Sequence, residues 1–206
     1  MLRLEDYAAG LYREFAIFPR DLPPWELVAQ LPGLLAGLGN PSGFRQPEPG
    51  VLVHAAATVE TGAVVKPPAL IAEGCFIAAF AYLRGGVALG RGVSVGPGCE
   101  VKASIVLSGT VLAHLNFVGD SVVGAGVNVE AGAMFANRWN ERADKSIAVR
   151  GPDGPIATGA VKFGALVGDR CRIGANAVLS PGTVLPPGSI VRRLELVDQN
   201  AGVEPT

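Results

Sequence analysis

The sequence predicts an all-β solenoid, a parallel β-helix of six-residue units, preceded by a short helical segment and broken by one inserted loop. Three observations carry that reading. Val53, Val59, Val65, Ile71, Ile77, Leu83, Leu89, Val95 and Val101 are aliphatic at a strict interval of six. Two residues before each stands a small or compact apolar side chain, from Val51, Ala57 and Ala63 to Cys99; on a short strand both members of such a pair point to one side, the larger filling an interior and the smaller fitting a corner. Glycine supplies 28 and proline 16 of the 206 residues, as a chain that turns every few residues requires.

Residues 1–48 lack the period. Apolar spacing in LRLEDYAAGLYREF and in PWELVAQLPGLLAGL suits two helices, the second opening on Pro23 and Pro24. A solenoid's first coil exposes apolar side chains and unpaired strand edges, so this segment is expected to cap that end, with NPSGFRQPEPG at 40–50 as a linker. The β-helix is expected over 49–194 and a tail over 195–206. Its rhythm slips near 101–106 and 118–123, runs through Val106, Leu112, Val118, Val123 and Val129, stops, and returns at Val161, Val167, Ile173, Leu179, Leu185 and Val191. The break at about 135–160, with Trp139 and a run of charges, is longer than ordinary loops. It reads as a solvated insertion or as an arm reaching a neighbouring subunit.

Composition excludes several classes. With 17 basic and 18 acidic residues the net charge is −1, so no global field draws the chain to nucleic acid or to an anionic membrane. No apolar run approaches the roughly 20 residues of a membrane span, and the acidic, amphipathic start is unlike a secretory signal. A soluble, cytoplasmic protein is expected. Cys75, Cys99 and Cys171 with only His54 and His114 assemble no common zinc template, so no metal is expected. All three cysteines fall on inward corner positions, unsuited to an exposed nucleophile.

A residue one step past an inward aliphatic points outward, and one 18 positions on lies on the same side one coil higher, about 4.8 Å away. Lys66, Arg84 and Lys102 are spaced by that count. They read either as a ladder awaiting a phosphate or carboxylate, or as three solvated side chains bending apart. His114 lies where the register slips, followed by Asn116 and Asp120. A lone histidine is more often structural, yet imidazole is a usable general base at neutral pH. Counting hexads sets His114 two faces on from Lys102, so a site using both needs a groove between neighbouring prisms and predicts an oligomer, most simply three-fold.

The stretches FAYLRGG, GCEVKAS, AHLNFVGDSVVGAGVNVEAGAMFAN and KFGALVGDRCRIGANAVLSPGTVL resemble left-handed β-helix acyltransferases of the hexapeptide-repeat superfamily. They resemble above all the acetyltransferase half of the bifunctional enzymes that make UDP-N-acetylglucosamine from glucosamine-1-phosphate, and stand-alone relatives of that half. The resemblance implies a left-handed coil and a homotrimer with sites between subunits. It implies acetyl-CoA as co-substrate, an amino-sugar phosphate as acceptor and direct transfer without an acyl-enzyme. Carried over by position, Arg84 and Lys102 bind the sugar phosphate and His114 takes the proton from the attacking amine. Asn116 falls within the same motif as a substrate-binding position. Asn128 and Asn137 hold hydroxyls or the acyl group, Lys145 on the arm reaches substrate, and Ala175 lies by the coenzyme. Phe117 stands where the bifunctional enzymes place a tyrosine and Ala175 where they place a serine. Arg192 and Arg193 follow the last coil, where the resemblance offers a place for coenzyme A's phosphates; they read equally as a solubilising cap, and the cap is preferred. The nucleotidyltransferase half is absent, which leaves room for a partner nucleotidyltransferase. A sugar-phosphate or sugar-nucleotide binding module without catalysis, and a structural trimeric scaffold, are the alternative readings.

Overall fold

The computed structural model, which describes residues 2–199, is a left-handed parallel β-helix of triangular section. Strands, most of them of two or three residues, alternate with tight turns, and stacked coils pair in parallel on three sides. The first side stacks Leu52, Leu70, Ala88, Ile105, Val122, Leu166 and Val184 in register. The second stacks Thr58, Phe76, Ser94, Val111, Asn128, Arg172 and Ile190. The third stacks Val64, Tyr82, Glu100, Phe117, Met134, Val178 and Leu196. Inside the prism the period-six aliphatics and their small partners form one core, with Ile71, Ile77, Leu83, Leu89, Val95 and Val101 fully buried.

The two slips have one physical cause. Between the third and first sides the chain passes Arg84, Gly85, Gly86 and Val87 in one coil, and Lys102, Ala103 and Ser104 in the next. Gly119, Asp120 and Ser121 occupy the same corner above. One residue is lost at this corner, and Ala103 and Asp120 take left-handed φ values of 46° each to make the tighter turn. Ser104 and Ser121 then occupy inward small positions. Each Oγ–H donates 2.7 Å to the carbonyl two residues before it, while each Oγ accepts a main-chain N–H from the coil above at 3.0 Å.

Several expectations are corrected. The long helix of the segment before the solenoid does not sit over its first coil. The helix Pro24–Ala36 lies along the first side, where Trp25, Val28, Leu31 and Leu35 pack with Ala88, Ile105 and Leu107. The signal lay in the sequence: the outward residue of every first-side strand is apolar, which a solvated side would not tolerate. The supposed linker contains the strand Phe44–Glu48, which pairs antiparallel with Val51–His54 and so covers the edge of the first coil. Part of the arm packs back onto its own chain. Its strands Ala148–Gly151 and Gly154–Ala157 form a hairpin, and Trp139, Ile147 and Val149 are buried in the same cluster as Phe163 and Val184 of their own chain. The rung after Val129 is Phe135, fully buried, whereas Val161 is 52% exposed and belongs to no rung. The strand Leu196–Val197 extends the third side past 194, and the remainder of the tail, 200–206, lies outside the described residues. Among the described residues no helix is long and apolar enough to cross a membrane.

Candidate active site

Arg84 and Lys102 are register partners on adjacent coils, and Lys66 is one coil below Arg84. The spacing therefore does stack three cations. Their self-repulsion, however, is met from within the chain. Arg84 donates Nε and Nη2 to one oxygen of Glu100 at 2.7 and 2.6 Å. Lys102 Nζ lies 2.5 Å from Asp120 Oδ2, with 17% and 13% of the two side chains exposed. Asn137 donates its Nδ2–H to the same Asp120 oxygen. The ring of Phe117 stands over Gly119 beside the Asn137 amide; a Cβ at Gly119 would lie 2.7 Å from Phe117 Cζ and 2.8 Å from Asn137 Nδ2. The corner thus carries two cation–carboxylate pairs, each with one carboxylate oxygen already committed, an amide and an aromatic wall.

Glu100 and Asp120 are the residues that sequence reasoning missed. The count of 18 that joins Arg84 to Lys102 arrives next at Asp120, and Glu100 precedes Lys102 by two on the same strand, so both were within reach of that arithmetic.

The remaining sequence-derived residues divide. His114 is exposed at the corner between the second and third sides; its carbonyl accepts the Gly132 N–H at 2.9 Å. Lys102 stands at the opposite edge of the third side, so one chain does not bring the two together. Asn128 projects from the second side with Arg172 as its register partner above. Asn116 is corrected: only 2% exposed, it takes an inward corner position, donates Nδ2–H to the Glu130 carbonyl at 2.7 Å and accepts the Cys99 thiol through Oδ1. An amide consumed inside the prism positions coils and does not meet a ligand. The Lys145 ammonium is held by the arm's own carbonyls, those of Asn140 at 2.7 Å and of Arg142. Ala175 donates its N–H to Glu130 at 2.9 Å, and Glu130 also takes two hydrogen bonds from Arg193 at 2.8 and 2.7 Å. These bonds hold the Glu130 carboxyl below the usual carboxylate range. Arg193 is therefore a specific partner on the second side as well as a charge past the last coils. It bounds a groove of about 490 Å³ that also holds Asn128 and Arg172.

Burial pushes the Cys75 thiol up to about 11 and raises those of Cys99 and Cys171. Buried protonated thiols supply no nucleophile. Among the described residues no three His, Cys, Asp or Glu side chains gather as metal ligands.

The family model described as bacterial transferase hexapeptide (six repeats) matches residues 68–103, the coils that carry Arg84 and Lys102. The matched coils carry the hexapeptide repeat. The chain is 35% identical over 100 residues to a bifunctional sugar-1-phosphate nucleotidylyltransferase/acetyltransferase of Sulfurisphaera tokodaii, covering 46% of this chain and 24% of that one. It is 32% identical over 101 residues to the bifunctional protein GlmU of Methanococcus maripaludis, covering 49% and 24%. It thus spans about a quarter of the length of these curated relatives. A crystal structure of a hexapeptide transferase family protein from Anaplasma phagocytophilum superposes with a TM-score of 0.50 at 18% identity, over 68% of this chain and 72% of that one. That likeness bears on the fold.

Proposed function

We propose that the protein is an acyltransferase that moves the acetyl group of acetyl-CoA onto an amino-sugar phosphate such as glucosamine-1-phosphate. What carries the reading is the corner at Arg84 and Lys102. Its two cations suit a phosphate, and the uncommitted oxygens of Glu100 and Asp120 suit hydroxyls or an ammonium. A substrate bearing both charges answers both sets of groups. The phosphate has to share Lys102 with Asp120, so recognition is an exchange of partners rather than capture by bare charge.

The base comes from a neighbouring copy. With His114 and Lys102 at opposite edges of the third side, a homotrimer in which that side of one prism meets the His114 corner of the next would complete the site. The surfaces suit this: Val64, Tyr82, Met134 and Leu196 are 36–63% exposed along the third side. Phe80, Leu115 and Leu194 are 67–79% exposed at the His114 corner, each with positive φ. In the completed site the amine nitrogen attacks the thioester carbonyl, His114 takes the nitrogen's proton, the C–S bond breaks, and the departing sulfur takes that proton from His114 so that coenzyme A leaves as the thiol and the base is restored. Asn137 is placed to orient the sugar through Asp120, and Asn128 to meet the acyl group. The coenzyme is assigned to the second-side groove near Ala175. Product would pass to a nucleotidyltransferase in the cytoplasm.

The test is acetyl-CoA consumption with glucosamine-1-phosphate and its epimers. His114→Ala is expected to lower kcat by about 10²–10⁴ and Arg84→Gln to raise KM. Mixing inactive His114→Ala and Lys102→Ala chains should restore part of the activity, since mixed trimers contain one intact site. Unchanged turnover in His114→Ala would falsify the assigned base. The second reading, a sugar-phosphate binding module without catalysis, is favoured by Phe117, which brings no hydroxyl to the corner. Calorimetry showing sugar-phosphate binding and no coenzyme A binding selects it.

A further inference from the structure

The molecule has a second concave site, at the corner between the first and second sides and away from both Lys102 and His114. The N-terminal segment crosses this corner and roofs a cleft of about 600 Å³. Phe15 and Phe44 come from the segment, and His54, Leu70 and Arg91 from the coils. This volume lies within the range of small-molecule sites, about 300–1,000 Å³.

Its chemistry is asymmetric. Both oxygens of Glu14 are taken by Ser108, through the main-chain N–H at 3.0 Å and the hydroxyl at 2.7 Å. Glu73 faces Arg91 at 3.7 Å, across an exposed rim. The Arg13 guanidinium, on the same rim, has no hydrogen-bond or ion-pair partner among the described residues. His54 Nδ1 accepts the Ala56 N–H at 3.1 Å, so the neutral ring carries its proton on Nε2 as a donor. The same imidazole meets the Phe44 ring edge-on, with centroids 5.1 Å apart and planes at 86°. An aromatic and aliphatic wall therefore stands beside a guanidinium and an imidazole N–H that await acceptors. The two acidic side chains are already engaged.

We infer that this cleft binds a small amphipathic anion, a flat apolar body bearing one phosphate or carboxylate. The ring lies against Phe44, Phe15 and Leu70, and the anionic group meets Arg13 and His54. The site is separate from the proposed transfer reaction and does not rest on it. Because the two walls belong to different parts of the chain, an occupant ties the N-terminal segment to the coils and stabilises their docking by mass action.

Phenyl phosphate is the probe, titrated by calorimetry into the full chain, with inorganic phosphate and phenol as its two halves. It is expected to bind at least about tenfold more tightly than either half, since wall and cation act together. Arg13→Gln and Phe44→Ala are each expected to weaken it about tenfold, while Arg84→Gln with Lys102→Gln leaves it unchanged. Arg13 is exposed, so its variant tests the site even where Phe44→Ala disturbs the edge strand. Binding no tighter than inorganic phosphate, or binding lost in the Arg84 and Lys102 variant and kept in Arg13→Gln, overturns the assignment. The transfer reaction would be untouched by either result.

Discussion

Asp120 shows how much one side chain does at the corner of this prism. Its carboxylate holds Lys102 and Asn137 from a left-handed turn that the lost residue imposes. Asp120→Ala leaves a largely buried ammonium without its partner and is expected to cost about 3–5 kcal/mol, read as a lower urea midpoint. Asp120→Asn keeps the shape and should fall between. Glu130 gives a pH-dependent case. Its folded pKa is depressed by Arg193 and the Ala175 N–H, so the stabilisation is fully present above the ordinary value of 4.5 and is lost as pH falls through the lower folded one. Urea midpoints of the wild type and Glu130→Gln should differ at pH 7 and converge as the pH falls below the depressed folded pKa of Glu130. The cysteines should resist a maleimide at pH 7 in the native protein and react once urea unfolds it, because burial raises all three thiols. At this scale the sequence revealed positions better than partners. The interval of 18 placed Arg84 under Lys102, but nothing in a cation's own spacing announces that Glu100 and Asp120 neutralise it. Asn116 matched a family motif in sequence and is spent on a main-chain carbonyl in the fold.

Among the elements, the helix Pro24–Ala36 and the hairpin Ala148–Ala157 both serve the first side. Trp25 meets Phe163 edge-on at 6.1 Å, joining the helix to the coil where the insertion returns. Leu31 and Ile147 are at most 1% exposed. Truncation to alanine at either is expected to cost about 2–5 kcal/mol, and Leu31→Ala should also speed proteolysis in the exposed stretch 39–43, as the helix loosens from its seat. The six-residue rhythm made the coils readable because each rung repeats one steric requirement. The helix was legible as a helix but not as a lateral cover, since amphipathic periodicity reports that a face is buried and not against what. The apolar outward residues at 52, 70, 88, 105, 122, 166 and 184 held the answer.

For the whole molecule, the exposed knobs Phe80, Leu115 and Leu194 form a column with Gly62, Gly98 and Gly132 at the corner beside His114, and each holds a left-handed φ. Glycine suits that backbone without strain, so Leu115→Gly should leave the isolated chain as stable or firmer by about 1 kcal/mol. In the proposed trimer it removes a contact, and light scattering should show dissociation at higher protein concentration than for the wild type. An unchanged oligomer would count against the proposed interface. One consequence of the covered first side concerns growth. A prism whose flank is walled off by its own polypeptide offers only the two other flanks, which meet at a single ridge, to its sisters. Lateral association is then steered into a small closed ring and kept from spreading into an open lattice.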